Sequence, residues 1–336
     1  MDIQIKIANH FEELPLYEIE ALTKTTNAPF FYDARFLKAA HYSPLLPILS
    51  AYYILAYSHD QLVGFTVLYS QLSPDPFGSL SRATGLNFND KPACLGHIMH
   101  GYESEIVVSA EHAELTRRCI LKSIKELGNQ VGAHHVGLIN VVNCDLLLAG
   151  TLEGYQTSFM WDRYYMDITC IETVEDYISQ LPADGRREMN RQQRKLQLSD
   201  QSPHVQTLAS VNVMQIAELV CETSSRHGTP DYYPPAMLKS FLETCADLVR
   251  FISIQKDDQV IGVMVCFLSN NTLHIWAAGM SYDHTDFSPY SACMLEAFRY
   301  AKEQGLHTIE IGRTNHKIKT RMGFKAKELF SLVASA

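Results

Sequence analysis

A paired hairpin of strands, a long helix and then a strand occur in the same order in both halves of this chain. In the first half, "AYYILAYSHDQLVGFTVLYSQ" alternates as two strands around a turn at His59-Asp60. "AELTRRCILKSIKELGNQVG" follows as an amphipathic helix with Leu115, Cys119, Ile120, Ile124 and Leu127 on one face, and "HHVGLINVV" as a strand. In the second half, "VRFISIQKDDQVIGVMVCFLSNNTLHIWAAGM" predicts a three-strand meander with turns at Asp257-Asp258 and Asn270-Asn271. A helix, "SPYSACMLEAFRYAKEQG", follows, capped by Ser288, with Pro289 at its first position and Gly305 past its end, and then the strand "HTIEIG". A unit of this size that recurs without sequence identity implies two similar lobes, divided near Trp161 to Thr169.

The chain is long enough for this, at 336 residues with 46% hydrophobic and 19% charged. A net charge of -9 argues against a dedicated nucleic-acid binder but leaves room for a local basic groove. The eight cysteines form no CxxC and sit mostly in apolar runs, as free core thiols of a reducing compartment do. "MDIQIKIANHFEELP" lacks the basic and apolar regions of a signal peptide, and no apolar run approaches the ~20 residues needed to cross a bilayer. The expectation is a cytoplasmic protein without membrane insertion.

Cations are concentrated where an acidic protein has least need of them. "IEIGRTNHKIKTRMGF" begins as a strand and then carries Arg313, Lys317, Lys319 and Arg321 before Gly323. Arg313 stands at the strand's carboxyl end, where open α/β sheets place ligands. The segment "GRREMNRQQRKLQ" sets Arg187, Arg191 and Arg194 on one helix face, a stripe that suits a phosphate-bearing donor or, equally, a solvated surface. "RHGTPDYYPPAML" gathers Arg226, Asp231, Tyr232 and Tyr233 on a Pro-rich loop, a candidate acceptor pocket or a packed helix connection. Asp283 and His284 follow a strand and are candidate bases for an amine acceptor, which must lose a proton to become nucleophilic. Glu310, alternating within its strand, is a further candidate.

Other features carry less. His97, His100, His134 and His135 lack a third ligand at a recognised spacing, so they read as structural and no metal is expected. No GxSxG or Walker loop is present. Cys293, one turn into its helix, reads as a buried small side chain rather than a nucleophile.

Meander, helix, strand, short helix, Gly-Phe and strand is an order that resembles the GNAT acyltransferases, and "EIGRTNHKIKTRMGF" resembles that family's closing signature of strand, Asn, short helix and Gly-Phe. Four stretches, "APFFYDARFLKAA", "YISQLPADGRREMNRQQRKL", "PYSACMLEAFRYAKEQGL" and "GRTNHKIKTRMGF", resemble Fem-type aminoacyltransferases and related peptidoglycan biosynthesis or recognition proteins. The resemblance implies an α/β (α+β) fold of two tandem GNAT-like lobes, each a mostly antiparallel mixed sheet flanked by helices, over residues 1–165 and 166–336. The second would carry the active site in a cleft between the lobes. It also implies N-acyl transfer from an activated donor to a small amine or peptide acceptor. The place of the GNAT tyrosine that protonates the leaving thiolate, four residues before Gly323, is held by Lys319. Arg313, Asn315, Lys317 and Arg321 would bind the donor beside it.

The family's Gly-rich loop for the pyrophosphate of coenzyme A is replaced by "MSYDHTDFSPYSA", with no glycine and two aspartates. No tightly bound cofactor is expected, and the donor stays open among acyl-CoA, an acyl-carrier protein and aminoacyl-tRNA. An ordinary acetyl-CoA-dependent N-acetyltransferase and a non-catalytic protein that binds a peptidoglycan fragment, carrier protein or tRNA also stay open.

Overall fold

The structure is a computed structural model and describes residues 2–88, 91–282 and 286–336. The chain divides into two compact units, Met1–Trp161 with Glu328–Ala336, and Asp162–Lys327.

The first unit opens with strand β1 (Gln4–Ala8) and helices α1 (Leu16–Thr25) and α2 (Ala34–Tyr42). The expected hairpin follows as β2 (Ser50–Ser58) and β3 (Gln61–Gln71). His59 and Asp60 have φ of 48° and 64°, the left-handed pair that a two-residue turn matching the strand twist requires. After α3 (Ser79–Thr84), β4 (Ala93–Gly96) and the short β5 (Val107–Val108), helix α4 (Ala113–Gln130) leads to β6 (His135–Val141) and α5 (Cys144–Leu152). The strands run β1-β2-β3-β4-β6, antiparallel except for the β4–β6 pair that α4 connects. The core gathers Ile54, Leu68, Ile120, Ile124, Leu127 and Leu138. The apolar face of α4 is turned from the expected one: Leu115 is 43% exposed and Cys119 only partly covered, while Thr116 and Leu121 are buried. Thr116 lies under Gly64 of β3, where a Cβ would come within 2.5 Å of its methyl. Close helix–strand approach, not hydrophobicity, therefore sets the rotation.

Strand β7 (Gln156–Asp167) enters the second unit at Asp162. Helices α6 (Val174–Gln180), α7 (Ala183–Gln197), α8 (Val213–Arg226) and α9 (Pro235–Thr244) are interrupted by the edge strand β8 (Pro203–Gln206). The meander is β9 (Val249–Lys256), β10 (Gln259–Ser269) and β11 (Thr272–Met280). Asp257 and Asp258 again have positive φ, 50° and 61°. Helix α10 (Pro289–Glu303), β12 (Thr308–Glu310) and α11 (His316–Arg321) follow. Here the order is β7-β12-β11-β10-β9-β8, with β11 and β12 parallel across α10 and the others antiparallel. Each unit therefore has the same antiparallel meander and a parallel pair closed by a long helix, as the repeat implied. The last strand, β13 (Lys325–Ser335), pairs from Phe330 onward with β6, so the first unit is completed by the end of the chain.

Leu273, Ile275, Ile309 and Ile311 point to one face of the second sheet and pack with Cys293, Leu295 and Phe298 of α10 in one core. Cys293 is fully buried, and burial pushes its thiol well up, away from the reactive thiolate. No helix among the described residues is long and apolar enough to cross a membrane.

Candidate active site

The cationic segment is built at the carboxyl end of β12. Its backbone leaves the strand through Gly312, Thr314 and Asn315, with φ of 62°, 66° and 54°. A β-branched residue in this region is strained, and the strain is held by the packing of the turn that follows. Helix α11 is only six residues long, and Lys319 is its one buried residue. An inward lysine on a helix otherwise exposed inverts the usual arrangement, in which ammonium groups stay in water.

Lys319 is 5% exposed. Its Nζ donates to the carbonyl oxygen of Arg313 and lies 5.1 Å from the centroid of the Tyr164 ring. Burial lowers its pKa to about 7, and the Arg313 charge adds to the shift. No acidic group among the described residues opposes it. Tyr164, on β7, shares a 2.7 Å hydrogen bond with His316 Nδ1. The Arg313 guanidinium donates to the Tyr232 hydroxyl at 2.9 Å. One residue expected on the donor side and one expected on the acceptor side thus meet.

The loop around Tyr232 is firmly packed. Tyr232 and Tyr233 meet edge to face at 4.8 Å, and Tyr233 packs on Trp276, which stacks on Phe241. Asp231 is exposed with φ of 59°. Arg226 pairs with Glu222 at 2.6 Å and lies over the Tyr282 ring.

Helix α7 abuts α11: a Cβ on Gly185 would stand 2.0 Å from the Arg321 carbonyl oxygen. Its arginines are exposed as the periodicity implies. Arg191 is neutralised by Glu188, at 3.0 and 2.6 Å. Among the described residues, Arg187 and Arg194 donate only to carbonyls of their own helix, Ala183 and Asn190. Lys317 and Asn315 are exposed, and Arg321 is half-buried. The start of α10 is engaged: Ser288 N–H donates to Gln192 of α7 at 2.7 Å, Ser291 N–H to the Ser288 hydroxyl at 3.3 Å, and Pro289 has no N–H.

Glu310 sits elsewhere. It alternates with Ile309 and Ile311, so it occupies the sheet face opposite α10. Burial alone would raise its pKa, but Arg163 at 3.1 Å and His274 at 2.7 Å hold it near 2. Asp283 and His284 lie outside the described residues. Tyr164, His316 and the carbonyl of Arg313 were not singled out from the sequence. Only the β7–β12 register brings Tyr164 to the segment, and local periodicity carries no trace of it. Among the described residues no cluster of three His, Cys, Asp or Glu is placed to hold a metal.

Residues 183–322, which contain all of this second-unit geometry except Tyr164 and Arg163, match the family model for an acetyltransferase (GNAT) domain. No curated protein matches the sequence. Among solved structures, FemX is similar with a TM-score of 0.67 at 12% identity, over 99% of this chain and 98% of that one. A tandem GNAT protein from the clavulanic acid biosynthesis pathway gives 0.58 at 10% identity, over 99% and 98%. L-PGS from Bacillus licheniformis gives 0.58 at 9%, over 95% and 91%. The expected fold is borne out: it is GNAT-like and of the tandem, Fem-type kind.

Proposed function

We propose that this chain transfers an acyl or aminoacyl group from an activated donor to a primary amine, forming an amide, and that Lys319 is the group beside the breaking bond. The observation that carries this reading is a buried lysine without an acidic partner among the described residues, at the carboxyl end of β12. Such a cation weakens the fold, and perturbed cations of this kind concentrate at working sites.

The amine nitrogen attacks the acyl carbonyl carbon and a tetrahedral oxyanion forms. The bond to the leaving oxygen or sulfur then breaks, and the Lys319 ammonium supplies its proton. A donor with pKa near 7 is suited to this, since about half of it carries the proton at neutral pH and releases it readily. Arg313, steadied by Tyr232, holds the donor's anionic part, and Asp231 and Tyr233 border the acceptor side with Arg226 behind them. The amine's own proton passes to water or to Asp283 or His284. Catalysis is mostly positioning and charge stabilisation.

A GNAT domain suits acyl-CoA as donor. The engaged N–H groups at the start of α10 instead favour a donor gripped by side chains, namely Arg187, Arg194, Lys317 and Arg321. That reading fits aminoacyl-tRNA or an acyl-carrier protein better than coenzyme A. The test is thermal stabilisation by coenzyme A, acetyl-CoA, charged tRNA and an acylated carrier protein, followed by detection of amide product from the donor that stabilises. A donor at ~100 times its dissociation constant stabilises the fold by roughly 2.7 kcal/mol. Binding without amide formation, unchanged in Lys319→Met, would leave a binding protein in place of an enzyme.

A further inference from the structure

On the sheet face away from α10, three side chains of the second unit form a relay. Ser269 ends β10, and its hydroxyl is 2.7 Å from Nε2 of His274 on β11. His274 Nδ1 is 2.7 Å from Oε2 of Glu310 on β12. The register explains the arrangement. Ser269 pairs with Thr272 and His274 with Phe267, so Ser269 and His274 are diagonal neighbours on one face. His274 is directly opposite Glu310 across the parallel pair.

The roles follow from charge. Arg163, 4% exposed, lies 3.1 Å from the other oxygen of Glu310 and keeps it a carboxylate. A carboxylate can only accept, so Nδ1 of His274 carries the proton. Nε2 is then the acceptor, and the Ser269 hydroxyl donates to it. Nucleophile, base and orienting carboxylate thus stand in the order and at the distances by which such triads are recognised on unrelated folds. His274 and Glu310 keep 12% and 14% side-chain exposure and Ser269 is half-buried, so the relay is not sealed from solvent.

We propose that Ser269 is an activated nucleophile that attacks the carbonyl carbon of a small activated acyl ester or thioester, with His274 as its base and Glu310 as the orienting group. The Ser269 proton passes to His274 Nε2 as the Oγ–C bond forms. The bond from carbon to the leaving oxygen or sulfur breaks, and that atom takes the proton from His274. The products are an acyl ester on Ser269 and a free alcohol or thiol. Water, deprotonated by the same imidazole, then releases the acid and restores the serine. This chemistry is independent of Lys319.

The experiment treats the full chain with a fluorophosphonate and, separately, with 4-nitrophenyl acetate, and maps the modified residue by peptide mass spectrometry. The expected adduct is on Ser269. It disappears in Ser269→Ala, and its rate falls about a hundred-fold in His274→Gln, the scale of a lost general base. A second readout needs no variant: in the wild type the adduct forms on Ser269 faster than on any other serine of the chain. No adduct on Ser269, modification of Lys319 alone, or labelling of Ser269 no faster than that of other serines would overturn the proposal and leave the relay as a hydrogen-bond network.

Discussion

The Arg313 guanidinium donates to the Tyr232 hydroxyl at 2.9 Å, joining the turn after β12 to the Pro-rich loop between α8 and α9. Tyr232 is itself fixed by Tyr233, which packs on Trp276. Tyr232→Phe removes one hydrogen bond and leaves the ring packing in place. Stability should fall by roughly 1 kcal/mol, the usual net contribution of such a bond. Donor binding should fall more, because Arg313 loses its orientation. Denaturant unfolding beside a donor titration separates the two, and equal losses in both would make the bond structural only.

Lys319 predicts a pH dependence whose sign can be worked out. Its pKa falls from 10.5 unfolded to about 7 folded. Below pH 7 both states carry the proton and the burial cost is present in full. Between 7 and 10.5 the unfolded state binds more protons, so folding becomes more favourable as pH rises. Lys319→Met should therefore be more stable than the wild type at pH 6, by up to roughly 5 kcal/mol at about 1.4 kcal/mol per pH unit. The gap should close toward pH 10. Amide formation, which needs the ammonium, should decline as pH rises through 7 in the wild type and be largely lost in the variant at every pH. Urea unfolding at pH 6 and 9 with an activity profile checks both halves.

Much of the fold was legible because its signals are local. The turns at His59-Asp60 and Asp257-Asp258 follow from residues that tolerate positive φ, and the Ser288 cap from a hydroxyl placed before Pro289. Partners distant in sequence were not legible. The strand Lys325–Ser335 shows its period, yet nothing in it says that it pairs with β6. The site divides along the same line. Arg313 and Lys319 stand out as cations in an acidic chain, but the tyrosines that hold them, Tyr232 and Tyr164, are chosen by packing and register. Glu310 was visible as an acid alternating within an apolar strand, whereas its partners Arg163 and His274 lie on two other strands.

Gly185 tests the packing of α7 on α11. A Cβ there meets the Arg321 backbone carbonyl, which cannot rotate aside. Gly185→Ala gains about 1 kcal/mol of helix propensity. It should nevertheless destabilise the protein by roughly 1–3 kcal/mol, because the helices must part. A midpoint in urea at or above the wild-type value would show that the contact yields.

His97 should make the first unit sensitive to acid. It is fully buried at φ 58°, ringed by Phe31, Tyr32, Phe36 and Tyr69, and among the described residues neither ring nitrogen has a hydrogen-bond partner. Burial lowers its pKa from 6.5 to about 3. Its contribution to stability is complete above 6.5 and is lost as pH falls toward 3. Glu105, raised to about 7 mainly by burial, works in the opposite direction between 7 and 4.5, so the wild-type slope alone is ambiguous. His97→Asn isolates the effect, since asparagine tolerates positive φ and does not titrate. From pH 6.5 to 5 the wild type should lose roughly 2 kcal/mol relative to the variant, at about 1.4 kcal/mol per pH unit. Parallel pH curves would refute it.

The arginines of α7 make the sharpest distinction between donors. Arg191 is held by Glu188 through two hydrogen bonds, and its charge is largely spent. Among the described residues Arg187 and Arg194 donate only to carbonyls of their own helix, and both side chains are exposed. If the donor is a nucleic acid, Arg187→Gln and Arg194→Gln should each weaken binding and reduce the salt slope by about 1. Arg191→Gln should do far less, because it leaves Glu188 exposed without removing a free cation. An acyl-carrier protein would show a shallower slope, since its acidic face is less densely charged than a phosphate chain. Equal effects of all three substitutions would mean that net charge alone matters, and the stripe would then be a solvated face. Binding isotherms for the three variants at two salt concentrations decide between these outcomes.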